Sequence, residues 1–264
     1  MSRILSILVF FFIFPYSSIS QSHPSSFADL VENLSPAVVS IASTTIVKNT
    51  NPQNEIPRFP KGSPFDEFFK DYFDNERRNS PSQRPMTGLG SGFIIEKEGI
   101  IVTNNHVIEG ADEITVIMSN QQEFTAELLG RDPKADLAVL KIDPGLIELT
   151  AVEWGDSETM RVGDWTIAIG NPLGLGGTVT AGIISAISRD IGNGPYVKFL
   201  QTDASINRGN SGGPLFNIKG ELIGINTAII SQSGGSIGLG FAIPANNAKK
   251  IISQLKEFGR TIRG

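Results

Sequence analysis

One serine, Ser211, sits in the stretch INRGNSGGP, from Ile206 to Pro214, beside Gly209, Gly212 and Gly213. A serine hydroxyl attacks a carbonyl only when a neighbouring base takes its proton. Glycine-rich backbone on both sides lets a substrate chain come close and lets peptide N–H groups turn inward. The same composition also describes a loose turn. The pattern G-x-S-x-G occurs at Gly209–Gly213 and again at Gly234–Gly238, in SQSGGSIG, so by itself it discriminates little. A literal match suggests the nucleophile elbow of an α/β-hydrolase, which places its histidine after the serine. No histidine follows Ser211.

The chain has two histidines, His23 and His106. His23 lies near the start of the mature chain, where order is not expected. An imidazole base in the folded part is therefore His106, in IVTNNHVIEG, just past an apolar strand. A packed or surface histidine is the bland alternative. A serine–histidine pair also needs a carboxylate to set the imidazole tautomer. Asp132, Asp136, Asp143, Asp156, Asp164 and Asp203 lie between His106 and Ser211. Most fall in polar turns. Asp136 opens the apolar strand of KADLAVLKI, where burial requires a partner, and Asp203 in QTDASI is the second choice. The order His106, Asp136, Ser211 is that of chymotrypsin-type proteases.

The elements that would position these residues are short strands. SGFIIEKEGIIVTNN reads as a hairpin around Glu98-Gly99, and GPLFNIKGELIGINTAII as another turning at Lys219-Gly220. EFTAELLG, DLAVLKI, DWTIAIG, TVTAGIISAIS, YVKFLQTDA and GLGFAIP are further strands. Such a series, with few long helical patterns, implies an all-β sandwich or barrel rather than a parallel α/β sheet. Two helices flank it. Ser26 and Asp29 can cap a short one with Phe27, Leu30, Val31 and Leu34 on one face. ANNAKKIISQLKEFGR is the other, with Ala248, Ile251, Ile252, Leu255 and Phe258 as its stripe and Gly259 at its end.

The chain opens with Arg3, an apolar run from Ile4 to Phe14 and small residues up to Ser20. This is the layout of a cleaved secretory signal peptide over residues 1–20. The run is about half the ~20 residues needed to span a bilayer; an uncleaved anchor is the alternative. Residues 21–47 then carry the first helix and strand. Residues 48–85 form a long Pro-, Asn- and Phe-rich loop, in which Phe65, Phe68, Phe69, Tyr72 and Phe73 recur at helical spacing. That face docks on its own domain or on another subunit. Residues 86–150 and 151–245 hold the two sets of strands, and 246–264 the last helix and tail.

The chain carries 22 basic and 27 acidic side chains, a balance that argues against a nucleic-acid partner. There are no cysteines, which excludes disulfides, thiolate metal sites and cysteine nucleophiles. No H-E-x-x-H, G-x-G-x-x-G or Walker sequence occurs, so neither metal nor nucleotide cofactor is expected.

TNNHVI, DLAVLKI, AIGNPLGLGGTVTAGIIS, QTDASINRGNSGGPL and GELIGINTAI, in that order, closely resemble the high-temperature-requirement (HtrA, or Deg) family of exported serine proteases. The resemblance runs from about Gly88 to Gly264. It implies a chymotrypsin-like fold of two six-stranded β-barrels with a His106–Asp136–Ser211 triad in the crevice between them. It also implies an oxyanion hole at Gly209, Asn210 and Ser211, with the N–H groups of Gly209 and Ser211 as donors. The pocket for the residue before the cut falls on Ser205, Ile206, Ile225, Asn226 and Thr227. No carboxylate stands there, so small to medium aliphatic residues are expected. Arg189 matches a sensor-loop arginine, and the peptide after Arg208 is the one that flips in inactive relatives. The resemblance further implies a periplasmic location, unfolded or misfolded polypeptides as substrates, and a homotrimer or larger assembly with no membrane span after leader removal. Family members continue into PDZ domains, where this sequence ends at Gly264. A holdase that shelters unfolded chains without cutting them is the alternative of another class.

Overall fold

The computed structural model describes residues 24–45, 86–171, 177–191, 197–207, 209–231 and 235–263. The leader, the Phe-rich insert, Arg208 and residues 172–176 of the NPLGLGG stretch lie outside them.

Two antiparallel sheets make up the body. The first contains β1 (Val38–Thr45), β2 (Met86–Glu96), β3 (Ile100–Thr103), β4 (Glu113–Ile117), β5 (Glu123–Thr125), β6 (Glu127–Asp132) and β7 (Leu137–Lys141), in the order β5-β4-β1-β2-β3-β7-β6. The second contains β8 (Glu153–Trp154), β9 (Trp165–Gly170), β10 (Thr178–Arg189), β11 (Phe199–Thr202), β12 (Pro214–Asn217), β13 (Glu221–Ile229) and β14 (Gly240–Pro244), in the order β12-β9-β10-β11-β14-β13-β8. Pairing of β12 with β13 closes six of these strands into a barrel, and β8 adds to β13 in parallel. The first sheet curls without that closure, since its end strands β5 and β6 pair only inward. The fold is the mostly-β, chymotrypsin-like one expected, with the first sheet a half-barrel. The single expected strand EFTAELLG divides into β5 and β6 at Ala126, whose N–H turns to Ile114 C=O.

Both hairpins turn where glycine permits it: Gly99 and Gly220 have φ of 93° and 82°, a region that disfavours a Cβ. Strand side chains alternate between faces, and these sheets bury one face or both. One apolar cluster joins residues of both sheets, among them Phe93, Val102 and Leu137 from the first and Ile167, Phe216 and Ile225 from the second. A second cluster, around Ile41, Ile101 and Leu140, fills the first sheet.

Helix α1 (Ala28–Leu34) packs Phe27, Leu30, Val31 and Leu34 on the larger cluster, with the Phe27 ring 5.8 Å from that of Trp165. Phe27 rather than Ser26 is its N-cap, and Ser26 Oγ accepts the Ala28 N–H. Helix α2 (Asn105–Ile108) is one buried turn after β3. Helix α3 (Ala245–Phe258) lies against β6 and β7 of the first sheet and β13 and β14 of the second. Ala248, Ile252 and Leu255 are its buried stripe, but Phe258, assigned to that stripe from periodicity, is 49% exposed at the helix end. Gly259 then turns left-handed (φ 68°) and donates to Leu255 C=O.

The tail past Gly259 folds back on the first sheet. Thr261 Oγ1 donates to Asp132 Oδ2 at 2.6 Å, and Arg263 also donates to that oxygen. Burial raises the Asp132 pKa, but the bonds from Arg263 and Thr261, the Arg263 charge and the Ala135 N–H outweigh it and hold the carboxyl below the ordinary range. Gly130 makes the helix approach possible: a Cβ there would lie 2.7 Å from the carbonyl oxygens of both Leu255 and Gly259. We expect Gly130→Ala to cost about 1–3 kcal/mol in urea unfolding, because backbone cannot yield as a side chain does. A carboxyl with a depressed folded pKa stabilises above its unfolded pKa, about 3.9, and that contribution disappears as pH falls through the lower folded value. Melting temperatures of wild type and Arg263→Ala should therefore converge as pH drops from 5 towards 2.

Candidate active site

Asp136 ends the tight turn between β6 and β7. Its φ of 55° is left-handed, a conformation that Asp tolerates better than most residues. Asp132, at the start of that turn, accepts the N–H groups of Lys134 and Ala135 and shapes it. Asp136 is thereby aimed at α2. Its Oδ1 accepts the His106 N–H at 3.0 Å and its Oδ2 meets His106 Nδ1 at 2.7 Å. An ionised carboxylate only accepts, so Nδ1–H is the donor in this contact. Asp136 is 1% and His106 8% exposed, so water competes little for this pair. Asp203, the alternative carboxylate, is exposed and accepts the Ile183 N–H at 2.7 Å, on the second sheet.

Ser211 lies in the tight loop before β12 and is 7% exposed. Its hydroxyl is 3.4 Å from the Thr227 carbonyl. The two sheets meet here. A Cβ on Gly212 would lie 2.3 Å from Ser91 O and 3.0 Å from Asn104 N, and one on Gly90 would strike Val107 and approach Ser211 O. The Ser211 loop thus abuts the segment that carries His106. Asn104 ties the sheets together, since its Nδ2 donates both to Asp136 C=O at 2.8 Å and to Thr227 Oγ1 at 3.1 Å.

Amide bookkeeping in the Ser211 loop separates the expected oxyanion donors. Asn210 N–H donates to Asn207 C=O, Gly212 N–H to Asn226 C=O and Gly213 N–H to Asn210 C=O. The N–H groups of Gly209 and Ser211 meet no acceptor among the described residues. Gly209, with φ 97°, takes a backbone conformation open to glycine. Asn210 was grouped with the hole, but its amide is already used.

Of the expected pocket residues, Ile206, Ile225, Asn226 and Thr227 are buried and Ser205 is exposed. Asn226 Nδ2 is bound to Pro214 C=O, and the Thr227 hydroxyl faces Asn104 and Ile225 C=O. The Arg189 Nε donates to Gln201 Oε1 at 3.1 Å.

Glu109, one turn after His106, was not singled out from the sequence. Burial pushes its carboxyl above the ordinary range; Arg131, 3.8 Å away, pulls it back, while Asp136 adds to the rise and His106 opposes it. Its place three residues past His106 on a helical turn was the available signal. Among the described residues no group of His, Asp and Glu side chains could hold a metal ion.

A buried Asp–His pair on one β-sheet facing a serine loop on another defines the trypsin-like class of hydrolase. Residues 90–225 match the family model described as a trypsin-like peptidase domain. The chain is 47% identical over 262 residues to a probable periplasmic serine endoprotease, DegP-like, of Brucella suis biovar 1 (strain 1330), covering 91% of this chain and 51% of that protein. It is 46% identical over 247 residues to the probable periplasmic serine protease do/HhoA-like of Haemophilus influenzae, covering 92% and 52%. Among solved structures, the HtrA-type protease AlgW with decapeptide superposes with a TM-score of 0.72 at 45% identity, covering 90% of this chain and 70% of that one. The serine endoprotease from Yersinia pestis gives 0.66 at 39% identity, covering 92% and 71%. The chain belongs to the HtrA-type trypsin-like peptidase family, and it spans about half the length of the curated relatives it matches.

If the Asp136 carboxylate sets the His106 tautomer, Asp136→Asn should keep the melting profile within a few degrees and lower kcat about 10⁴-fold, the size of effect seen when a triad carboxylate becomes an amide. Steady-state kinetics on an unfolded substrate measure it.

Proposed function

We propose that this chain is an exported, ATP-independent serine endopeptidase that cleaves unfolded or misfolded polypeptides of the periplasm. The observation that supports this most is the 2.7 Å buried contact of His106 Nδ1 with Asp136, set against a serine loop in which the amides of Gly209 and Ser211 meet no acceptor among the described residues. In this reading His106 Nε2 takes the Ser211 proton as Oγ attacks the scissile carbonyl. The N–H groups of Gly209 and Ser211 receive the oxyanion; losing such a donor raises the barrier by about 2.7–4 kcal/mol. The imidazolium, stabilised by Asp136, protonates the leaving amine. Water then attacks the acyl carbon while giving a proton to His106, the bond to Ser211 Oγ breaks, and His106 returns the proton to that oxygen.

The residue before the cut would sit beside Ile206 and Ile225, both buried and apolar, with no carboxylate to draw Lys or Arg. Val, Ala or Leu fits such a site. An extended substrate segment would add as a strand along Thr227–Ile229, the end of β13 beyond its pairing with β12, which requires the substrate to be unfolded there. Arg189 and Arg208 would act in regulation, and the working unit would be a homotrimer or larger. No helix among the described residues is long and apolar enough to cross a membrane. The periplasmic names of the relatives support the location.

Fluorophosphonate should label the wild-type chain at Ser211 and leave Ser211→Ala unlabelled, and the same substitution should abolish casein cleavage with the circular-dichroism spectrum unchanged. Wild-type chain that binds unfolded casein but neither cuts it nor takes the label would point to a sheltering role instead.

A further inference from the structure

Ser91 lies in the middle of β2, opposite Ser40 of β1, and is fully buried. Its hydroxyl is committed twice, and both partners belong to the other sheet's loops. It donates to the Gly209 carbonyl at 2.5 Å and accepts the Asn171 N–H at 2.8 Å. Its own N–H donates to the Ser211 carbonyl at 2.8 Å, and its carbonyl accepts the Thr103 hydroxyl at 2.7 Å. One small residue of the first sheet therefore grips the main chain on both sides of the nucleophile and the start of a neighbouring loop. Asn171 Oδ1 in turn accepts the Gly177 N–H, closing the base of that loop.

We infer that the Ser91 hydroxyl is a positioning group for the oxyanion hole, holding the Gly209 carbonyl so that the amides of Gly209 and Ser211 stay aimed at one point. The inference rests on the peptidase reading of that site. Its physical basis is the shortage of other restraints. The peptide after Gly209 is held at its N–H end by Asn207 C=O and at its C=O end by Ser91. The next peptide is held through Asn210 C=O by Gly213 N–H. Gly209 has no side chain to limit rotation, so loss of the Ser91 bond leaves the peptide after it held only through the Asn210 N–H. The same hydroxyl binds the Asn171 N–H, so Asn171 and the hole share one anchor. A hole works by being organised before charge develops, and disorder in it raises the barrier without changing ground-state binding.

The test is Ser91→Ala in the full chain. We expect kcat on an unfolded peptide substrate to fall ten- to a hundredfold, with KM within about threefold. Hydrogen exchange of the 205–215 segment should quicken at the same time, with the spectrum of the folded state retained. A kcat within twofold of wild type together with unchanged exchange overturns the inference, as does a lower melting temperature with both readouts intact, which is the mark of a purely structural serine. Should Ser91→Ala not fold, Ser91→Cys, close in shape with a much weaker donor, carries the same comparison. If the wild-type chain neither cleaves nor takes a fluorophosphonate, the peptidase reading fails separately, and exchange of the 205–215 segment still decides whether Ser91 holds that loop.

Discussion

A carboxylate as buried as Asp136 is unfavourable unless its charge is met by donors. Here the backbone N–H and the Nδ1–H of His106 meet it, one on each oxygen. That double contact constrains much of the first sheet. It requires a turn between β6 and β7 tight enough to put Asp136 in a left-handed conformation, and a helical turn after β3 that presents both groups of His106 to one side. Asp132, held by the C-terminal tail, braces the turn from behind.

The second constraint is the seam. The imidazole of His106 is carried by the first sheet and the hydroxyl of Ser211 by a loop of the second. The chemistry depends on how the two sheets are fastened. Two polar side chains, those of Ser91 and Asn104, bond across this seam, and α3 packs against strands of both sheets. Apolar residues of both sheets form one continuous cluster beneath it. Dispersion and burial hold the halves together without direction; the hydrogen bonds supply the register.

Much of this organisation was legible in the sequence, for identifiable reasons. Hairpins announce themselves by a glycine between alternating strands, as at Gly99 and Gly220. A single histidine beyond the chain start narrows the choice of base to His106. Asp136 stood out because it adjoins LAVLK, where an unpartnered charge could not be buried. Other features were harder to read. The strand Glu113–Ile117 alternates its burial along the chain, but the short run EITVI is a weaker signal than the longer apolar segments around it. Asp132 looked like an ordinary turn residue, because its partners Thr261 and Arg263 lie at the far end of the chain. Phe258 fits the helical period yet faces outward, since periodicity gives a face and not the place where the neighbouring surface ends.

The sequence by itself determined the all-β character, the helix that ends the chain and which residue types were available for chemistry, because these follow from composition, local periodicity and order along the chain. Only the tertiary structure decided that the first sheet stays open, that Asp136 rather than Asp203 faces the imidazole, that the Asn210 amide is bound to Asn207 C=O, and that Ser91 stands behind Gly209. Most of these rest on contacts between segments far apart in the chain. Hydrogen-bond partners at such separation are selected by packing geometry, and no local pattern encodes it.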